Sequence, residues 1–219
     1  MRNIEQRNQL LFVLIIIAVP FAIYYLLAQS NFGTRLKVFG PDTVNEKGET
    51  VAHTVAPFSF VNQLGDTVTQ EDIQGKIYIA NFFFASCPTI CPKMLRQVMR
   101  VQEEFKDNDH FLILSHTVDP RHDSVPVLRA YSHVYHADPG KWYFLTGERK
   151  KLYLAARNSY LTDNLEGDGG AGDFIHSQYV LLVDPERHIR GFYEGTDPDD
   201  IDRLIEDIHE LMREFGYEE

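Results

Sequence analysis

Cys87 and Cys91 are the only cysteines in the 219 residues, and they lie four positions apart in Ser86-Cys87-Pro88-Thr89-Ile90-Cys91-Pro92-Lys93. Two cysteines cannot build a disulfide scaffold, and inert cysteines are usually buried singly within elements. Flanking a strand-to-helix turn and each followed by proline, this pair points to thiol chemistry. Exposed backbone N–H groups at a helix start favour thiolate over thiol, which makes such cysteines nucleophilic and metal-binding. The readings are a redox dithiol, a two-thiolate metal clamp, or both. Two thiolates alone do not complete the four-coordinate site of structural zinc, and no second cysteine pair exists. Soft thiolates joined by one imidazole suit copper, Cu(I) above all. Of nine histidines, His176 stands out because it follows the glycine-rich stretch Gly167–Asp173 and immediately precedes a strand starting at Tyr179. His116, at the end of a strand beside the central one, is second. His133, His136 and His209 lie on helices, His188 near a hairpin turn, and His53 and His110 read as solvated surface. Met94 shares helical spacing with Val98 and reads as core.

The elements that position these residues follow from periodicity. Ile77–Ala85 is a nearly unbroken apolar run, as a central strand covered on both faces requires. Pro92–Phe105 repeats Met94, Val98, Val101 and Phe105 at helical spacing, so the cysteines sit at the carboxyl end of the central strand. That is where open α/β sheets gather their ligands. Strands are expected at Phe58–Val61, Thr67–Thr69, Phe111–Thr117, Trp142–Leu145, Tyr179–Val183 and Ile189–Tyr193, with a helix at Val127–Tyr135. A last helix is capped by Asp197, opens with Pro198 and buries Ile201, Leu204, Ile208, Leu211 and Phe215. The order predicts an α/β fold, a sheet sandwiched by helices.

Composition narrows the classes. Hydrophobic residues make up 44% and charged residues 24%, as in ordinary globular chains. With 21 Lys+Arg against 32 Asp+Glu the net charge is −11, a poor match to nucleic acid or anionic lipid. Leu10–Ala28 is an uncharged stretch of 19 residues, which as a helix spans about 28 Å, close to a bilayer core. Residues 1–30 are therefore expected to be a membrane anchor, longer than the core of a usual cleaved signal. Residues 31–50 read as a polar tether and 51–219 as the folded domain.

The sequence resembles the Sco/SenC family, the thioredoxin-like copper chaperones of cytochrome oxidase assembly. The likeness is carried in order by Phe58–Gly65 (FSFVNQLG), Asn81–Met94 (NFFFASCPTICPKM), Val118–Asp123 (VDPRHD), Lys141–Gly147 (KWYFLTG), Asp173–His176 (DFIH) and Val183-Asp184-Pro185. It spans roughly residues 50–215. The resemblance implies a thioredoxin-like fold and copper, as Cu(I), Cu(II) or both, held by Cys87, Cys91 and His176. It also implies one N-terminal transmembrane helix with the domain on the periplasmic or intermembrane-space side. Asp119 and Asp123 match family positions and are read as turn-forming or supporting residues, not ligands. Two departures stand out. The family commonly has an acidic residue where Thr89 lies, and often acids where Lys93 follows Pro92.

The function so implied is metallation of the binuclear copper (CuA) site of cytochrome c oxidase subunit two, by ligand exchange rather than catalytic turnover. Copper loading requires Cys87 and Cys91 reduced, so it is coupled to their redox disulfide. Other copper chaperones or thiol reductants are further expected partners. The alternative is a thiol–disulfide oxidoreductase acting on the target's cysteines. Against it stands the three-residue spacer, where redox motifs usually have two. A peroxide-reducing enzyme and an inert interaction module are the remaining classes.

Overall fold

The run Ile77–Phe83 is buried at all seven positions, because it is the middle strand of a five-stranded sheet with helices or loops on both faces. The computed structural model describes residues 16–22, 36–44, 48–162 and 177–218. They belong to two units, Met1–Arg35 and Leu36–Glu219. In the first, residues 16–22 form a helix, α1, with exposed side chains. Among the described residues no helix is long and apolar enough to cross a membrane. The rest of the predicted span Leu10–Ala28 lies outside them.

The second unit opens with two small hairpins, β1 (Thr43–Val44) with β2 (Thr50–Val51), and β3 (Ser59–Val61) with β4 (Thr67–Thr69). The main sheet is built from β5 (Ile77–Phe83), β6 (Phe111–Thr117), β7 (Trp142–Leu145), β8 (Tyr179–Val183) and β9 (Ile189–Glu194), in the order β7-β6-β5-β8-β9. Strands β5, β6 and β7 run parallel, while β8 is antiparallel to β5 and β9 to β8. The helices are α2 (Ile90–Glu104), α3 (Val125–Val134), α4 (Arg149–Leu154, continued as a π-helical turn at Ala155–Ser159) and α5 (Pro198–Phe215).

Alternation along the strands creates two apolar layers. Ile79 and Phe83 face one layer with Met94, Val98, Leu204 and Ile208 from α2 and α5. Tyr78, Ala80 and Phe82 face the other, with Phe60, Tyr153 and Tyr160. Helix α5 starts where the sequence places it: Asp197 accepts the Asp199 N–H at 3.1 Å, with Pro198 as the first residue. It stops at Gly216, whose φ of 73° lies in the left-handed region that glycine adopts at least cost.

Strands β3 to β9 lie at the predicted positions to within one or two residues. Helix α2 begins at Ile90 rather than Pro92, so Cys91 belongs to its first turn. Helix α4 and its π turn are absent from the sequence reading, because Arg-Lys-Lys-Leu-Tyr-Leu is too short to display a helical period. Upstream of residue 50, Phe39 donates to the Ile189 carbonyl at 2.8 Å and the Leu36 carbonyl accepts from the buried Arg190 guanidinium at 2.7 Å.

Candidate functional site

Three strand ends meet at one edge of the sheet, and topology is the reason. Strand β6 is parallel to β5, so its carboxyl end at Thr117 lies beside Phe83, and the Val118 N–H donates to the Phe83 carbonyl at 2.8 Å. Strand β8 is antiparallel to β5, with Val180 opposite Asn81. Its beginning therefore also arrives at the carboxyl end of β5.

From that end the chain turns through Phe84-Ala85-Ser86-Cys87 into α2. The Cys87 N–H donates to the Phe84 carbonyl at 3.1 Å. Helix α2 has no side-chain cap from Thr89 and no acid in its first turn. Instead the Cys91 N–H donates to Cys87 Sγ at 3.4 Å, so sulfur occupies the place of a capping oxygen.

The two thiols are free and unequal. Cys87 is half-buried and Cys91 is buried. Burial alone would raise the Cys87 pKa, but the backbone N–H groups of Cys91, Thr89 and Ile90 outweigh it and hold it below the ordinary thiol value. Burial dominates at Cys91 and pushes its thiol up to about 12, with the neighbouring Cys87 adding to the rise.

Both cysteines line a cavity of about 440 Å³, whose other walls include Phe84, Ile90, Thr162, Ser177 and Tyr179. No charged side chain lines it among the described residues. Ile90 and Tyr179 are 43% and 44% exposed, giving the mouth an apolar rim. Thr162 and Ser177 are the last and first described residues on either side of 163–176. His176 lies outside the described residues; its chain neighbour Ser177 is at the cavity wall.

The other candidates separate cleanly. His116 is fully buried on the opposite face of the sheet, ringed by Phe58, Phe60, Phe82 and Tyr160 at centroid distances of 5.1 to 6.2 Å. Neither ring nitrogen has a hydrogen-bond partner, and burial lowers its pKa to about 4. It does not join the thiols. Met94 is core, fully buried with Val98. His53 bonds the Ser159 carbonyl, His110 stacks on Tyr217, and His209 meets Glu104 and Glu218. His188 lies beside Asp184 and Glu186 in the β8–β9 turn, where Asp184 is already engaged by Arg190 at 2.9 Å.

Asp119 and Asp123 differ in setting. Asp119 is half-buried and pairs with the exposed His122 at 2.7 Å. Asp123 is 2% exposed and accepts the Ala85 N–H at 3.1 Å and the Thr117 hydroxyl. Sequence reasoning missed Gly195. A Cβ there would fall 2.8 Å from the Gln178 carbonyl and 2.7 Å from Met94 Cγ, and the Gly195 N–H holds that same carbonyl at 2.8 Å. Glycine thus seats the start of β8 against α2. The only sequence sign of this is a glycine just past a strand.

The sequence model of the SCO1/SenC family matches residues 46–213. The chain belongs to that family. The SCO1 protein homolog of Bacillus subtilis is 30% identical over 158 residues, which cover 71% of this chain and 81% of that protein. The structure of BsSco, a member of the Sco family of cytochrome c oxidase assembly proteins in which a disulfide switch was identified, is 29% identical with a TM-score of 0.63. That match covers 74% of this chain and 94% of BsSco. Arabidopsis thaliana ScoI, solved with copper bound, is 28% identical with a TM-score of 0.59, covering 74% of this chain and 99% of that one. The fold of this Sco/SenC chain is accordingly the mixed α/β, thioredoxin-like fold of the family.

Proposed function

We propose that this chain binds copper through Cys87, Cys91 and His176 and delivers it to the binuclear copper site of cytochrome c oxidase subunit two. The observation that carries the reading is that Ser177, covalently next to His176, lines the same cavity as both cysteines. The donor set fits a soft ion. Backbone N–H groups favour the Cys87 thiolate, the wall offers no carboxylate among the described residues, and an imidazole adds a neutral ligand. Copper here is cargo. The apolar rim of Ile90 and Tyr179 lets a partner approach, and a cavity open to one side lets a partner's donor enter and take the ion by ligand exchange. Copper-bound Arabidopsis ScoI and the oxidase-assembly role of the BsSco family support the same conclusion. In this reading Leu10–Ala28 anchors the chain, the polar stretch 31–50 leads into the domain and is itself fastened to it at Leu36 and Phe39, and the domain 51–219 works on the periplasmic or intermembrane-space side.

The unequal thiols support a second reading, a thiol–disulfide reductase for the target's cysteines. Cys87 is the accessible, more acidic thiol that attacks, and Cys91 is the buried thiol that resolves the mixed disulfide. The variant His176→Ala separates the two. Copper transfer predicts a loss of at least tenfold in copper affinity with dithiol reactivity retained, measured by anaerobic titration and by disulfide exchange. Unchanged copper affinity in that variant leaves the reductase as the function.

A further inference from the structure

Two aspartates follow β6, and only one of them reaches the cysteine turn. The ladder continues past β6 through the Val118 N–H to the Phe83 carbonyl. The chain then folds back on itself, the Asp119 carbonyl accepting the N–H groups of His122 at 3.1 Å and Asp123 at 2.9 Å. This turn points the Asp123 side chain inward, where it is 2% exposed. Its carboxylate accepts the Ala85 N–H at 3.1 Å from one oxygen and 3.3 Å from the other. The first of those oxygens also takes the Thr117 hydroxyl, while Thr117 Oγ1 accepts the Asp119 N–H at 2.9 Å.

The Ala85 N–H belongs to the same peptide plane as the Phe84 carbonyl, and that carbonyl accepts the Cys87 N–H at 3.1 Å. A peptide unit is rigid. Fixing its N–H end therefore fixes the direction of its carbonyl, and with it the amide of Cys87. The Cys87 sulfur in turn receives the Cys91 N–H at 3.4 Å. One buried carboxylate thus stands at the head of a short chain of hydrogen bonds ending on both cysteines. Loops carry no such restraint by default, since a turn's backbone groups are free to use water. The Asp119 carboxylate pairs with His122 at the surface instead, and that residue supports the network through its backbone alone.

We propose that Asp123 is a positioning residue for the thiol pair, acting through the Phe84–Ala85 peptide plane to fix where Cys87 presents its sulfur. The copper readouts of this inference rest on the function proposed above; the exchange readouts do not. Asparagine at 123 keeps the acceptor oxygen that holds Ala85 at 3.1 Å and Thr117, and exchanges the charge and the more distant oxygen for an NH2 group, whereas alanine loses the hold itself.

The test compares full-length wild type, Asp123→Ala, Asp123→Asn and Thr117→Val in detergent. Amide exchange is read at Ala85 and Cys87, along with Cu(II) affinity and the position of the thiolate-to-Cu(II) absorption. In Asp123→Ala, Ala85 and Cys87 should exchange at least about tenfold faster, as expected for loss of a hydrogen bond to a charged group. Copper affinity should fall about 10–100-fold, the usual cost of removing a supporting partner of a ligand, and the absorption band should move. Asp123→Asn should restore exchange and affinity to within about threefold of wild type, as hydrogen-bond geometry requires. Unchanged Ala85 exchange in Asp123→Ala overturns the proposal. So does an Asp123→Asn variant as impaired as alanine, since charge rather than hold would then be at work. If the alanine variant does not fold, Thr117→Val carries the same test, with faster Ala85 exchange expected and an unchanged rate refuting. A wild type that takes up no copper refutes the proposed function alone, because the exchange rates still decide the role of Asp123.

Discussion

His116→Phe converts a buried imidazole into a ring that its surroundings already favour. In the native protein His116 is fully enclosed by Phe58, Phe60, Phe82 and Tyr160, and neither nitrogen has a partner. Burial holds its pKa at about 4, and the nearby Asn81 and Leu114 backbone offsets only part of that shift. In the unfolded chain the ring titrates at about 6.5. Between these values the unfolded state binds a proton that the folded state refuses, so the stability tied to neutral His116 is complete above about pH 6.5 and is lost as pH falls towards 4. Integrating over that window gives a loss of about 2 kcal/mol at pH 5 and about 3 kcal/mol at pH 4. Phenylalanine removes the titration and also two buried nitrogens that lack partners. Urea unfolding of both proteins at pH 7, 6 and 5 provides the measurement. The difference in stability, variant minus wild type, should grow by about 2 kcal/mol from pH 7 to pH 5, whatever its value at pH 7. Because all other groups titrate alike in both proteins, the difference isolates this ring. Parallel acid destabilisation would refute the reasoning, showing that the imidazole is charged or partnered in the folded state.

Two further expectations concern the thiols and the frame. At pH 8 a thiol pushed up to about 12 is ionised to only about one part in 10⁴, so iodoacetamide should modify Cys87 alone, giving a single adduct by mass spectrometry. Labelling of Cys91 within tenfold of the Cys87 rate contradicts the asymmetry. Arg190→Ala should lower the unfolding free energy by about 3 kcal/mol, because Asp184, like Arg190, is 1% exposed at its side chain and would lose its guanidinium partner, keeping only His188 and the backbone N–H groups of Glu186 and His188. Chemical denaturation checks this, and a loss below about 1 kcal/mol would place the pair among weak surface bridges.

The legible part of this molecule is the part written in short-range pattern. Ile77–Phe83 and Phe111–Thr117 announce themselves as doubly covered strands, and the stripe from Ile201 to Phe215 announces α5, because burial imposes a period that local sequence records. The cysteine turn was legible for the same reason, since Pro88 and Pro92 punctuate it. Long-range geometry was not. Nothing local in Val118–Asp123 says that Asp123 turns inward to Ala85 while Asp119 stays with His122. Nothing local in β6 gives the side of the sheet His116 faces, because strand parity fixes a face only after the register with β5 is known. Gly195 was invisible because its reason lies in the Gln178 carbonyl and Met94, both distant in sequence.

The fastening of Leu36 and Phe39 has a consequence for how this domain can be held. Arg190 and Ile189 grip that incoming strand of polypeptide beside the β8–β9 turn, which abuts the beginning of β5, since Val183 lies opposite Tyr78. The sulfurs lie beyond the other terminus of β5, about 20 Å away at 3.3 Å per residue. Within this unit, therefore, the polypeptide enters at Leu36 and Phe39 at one pole and presents its two sulfurs at the other.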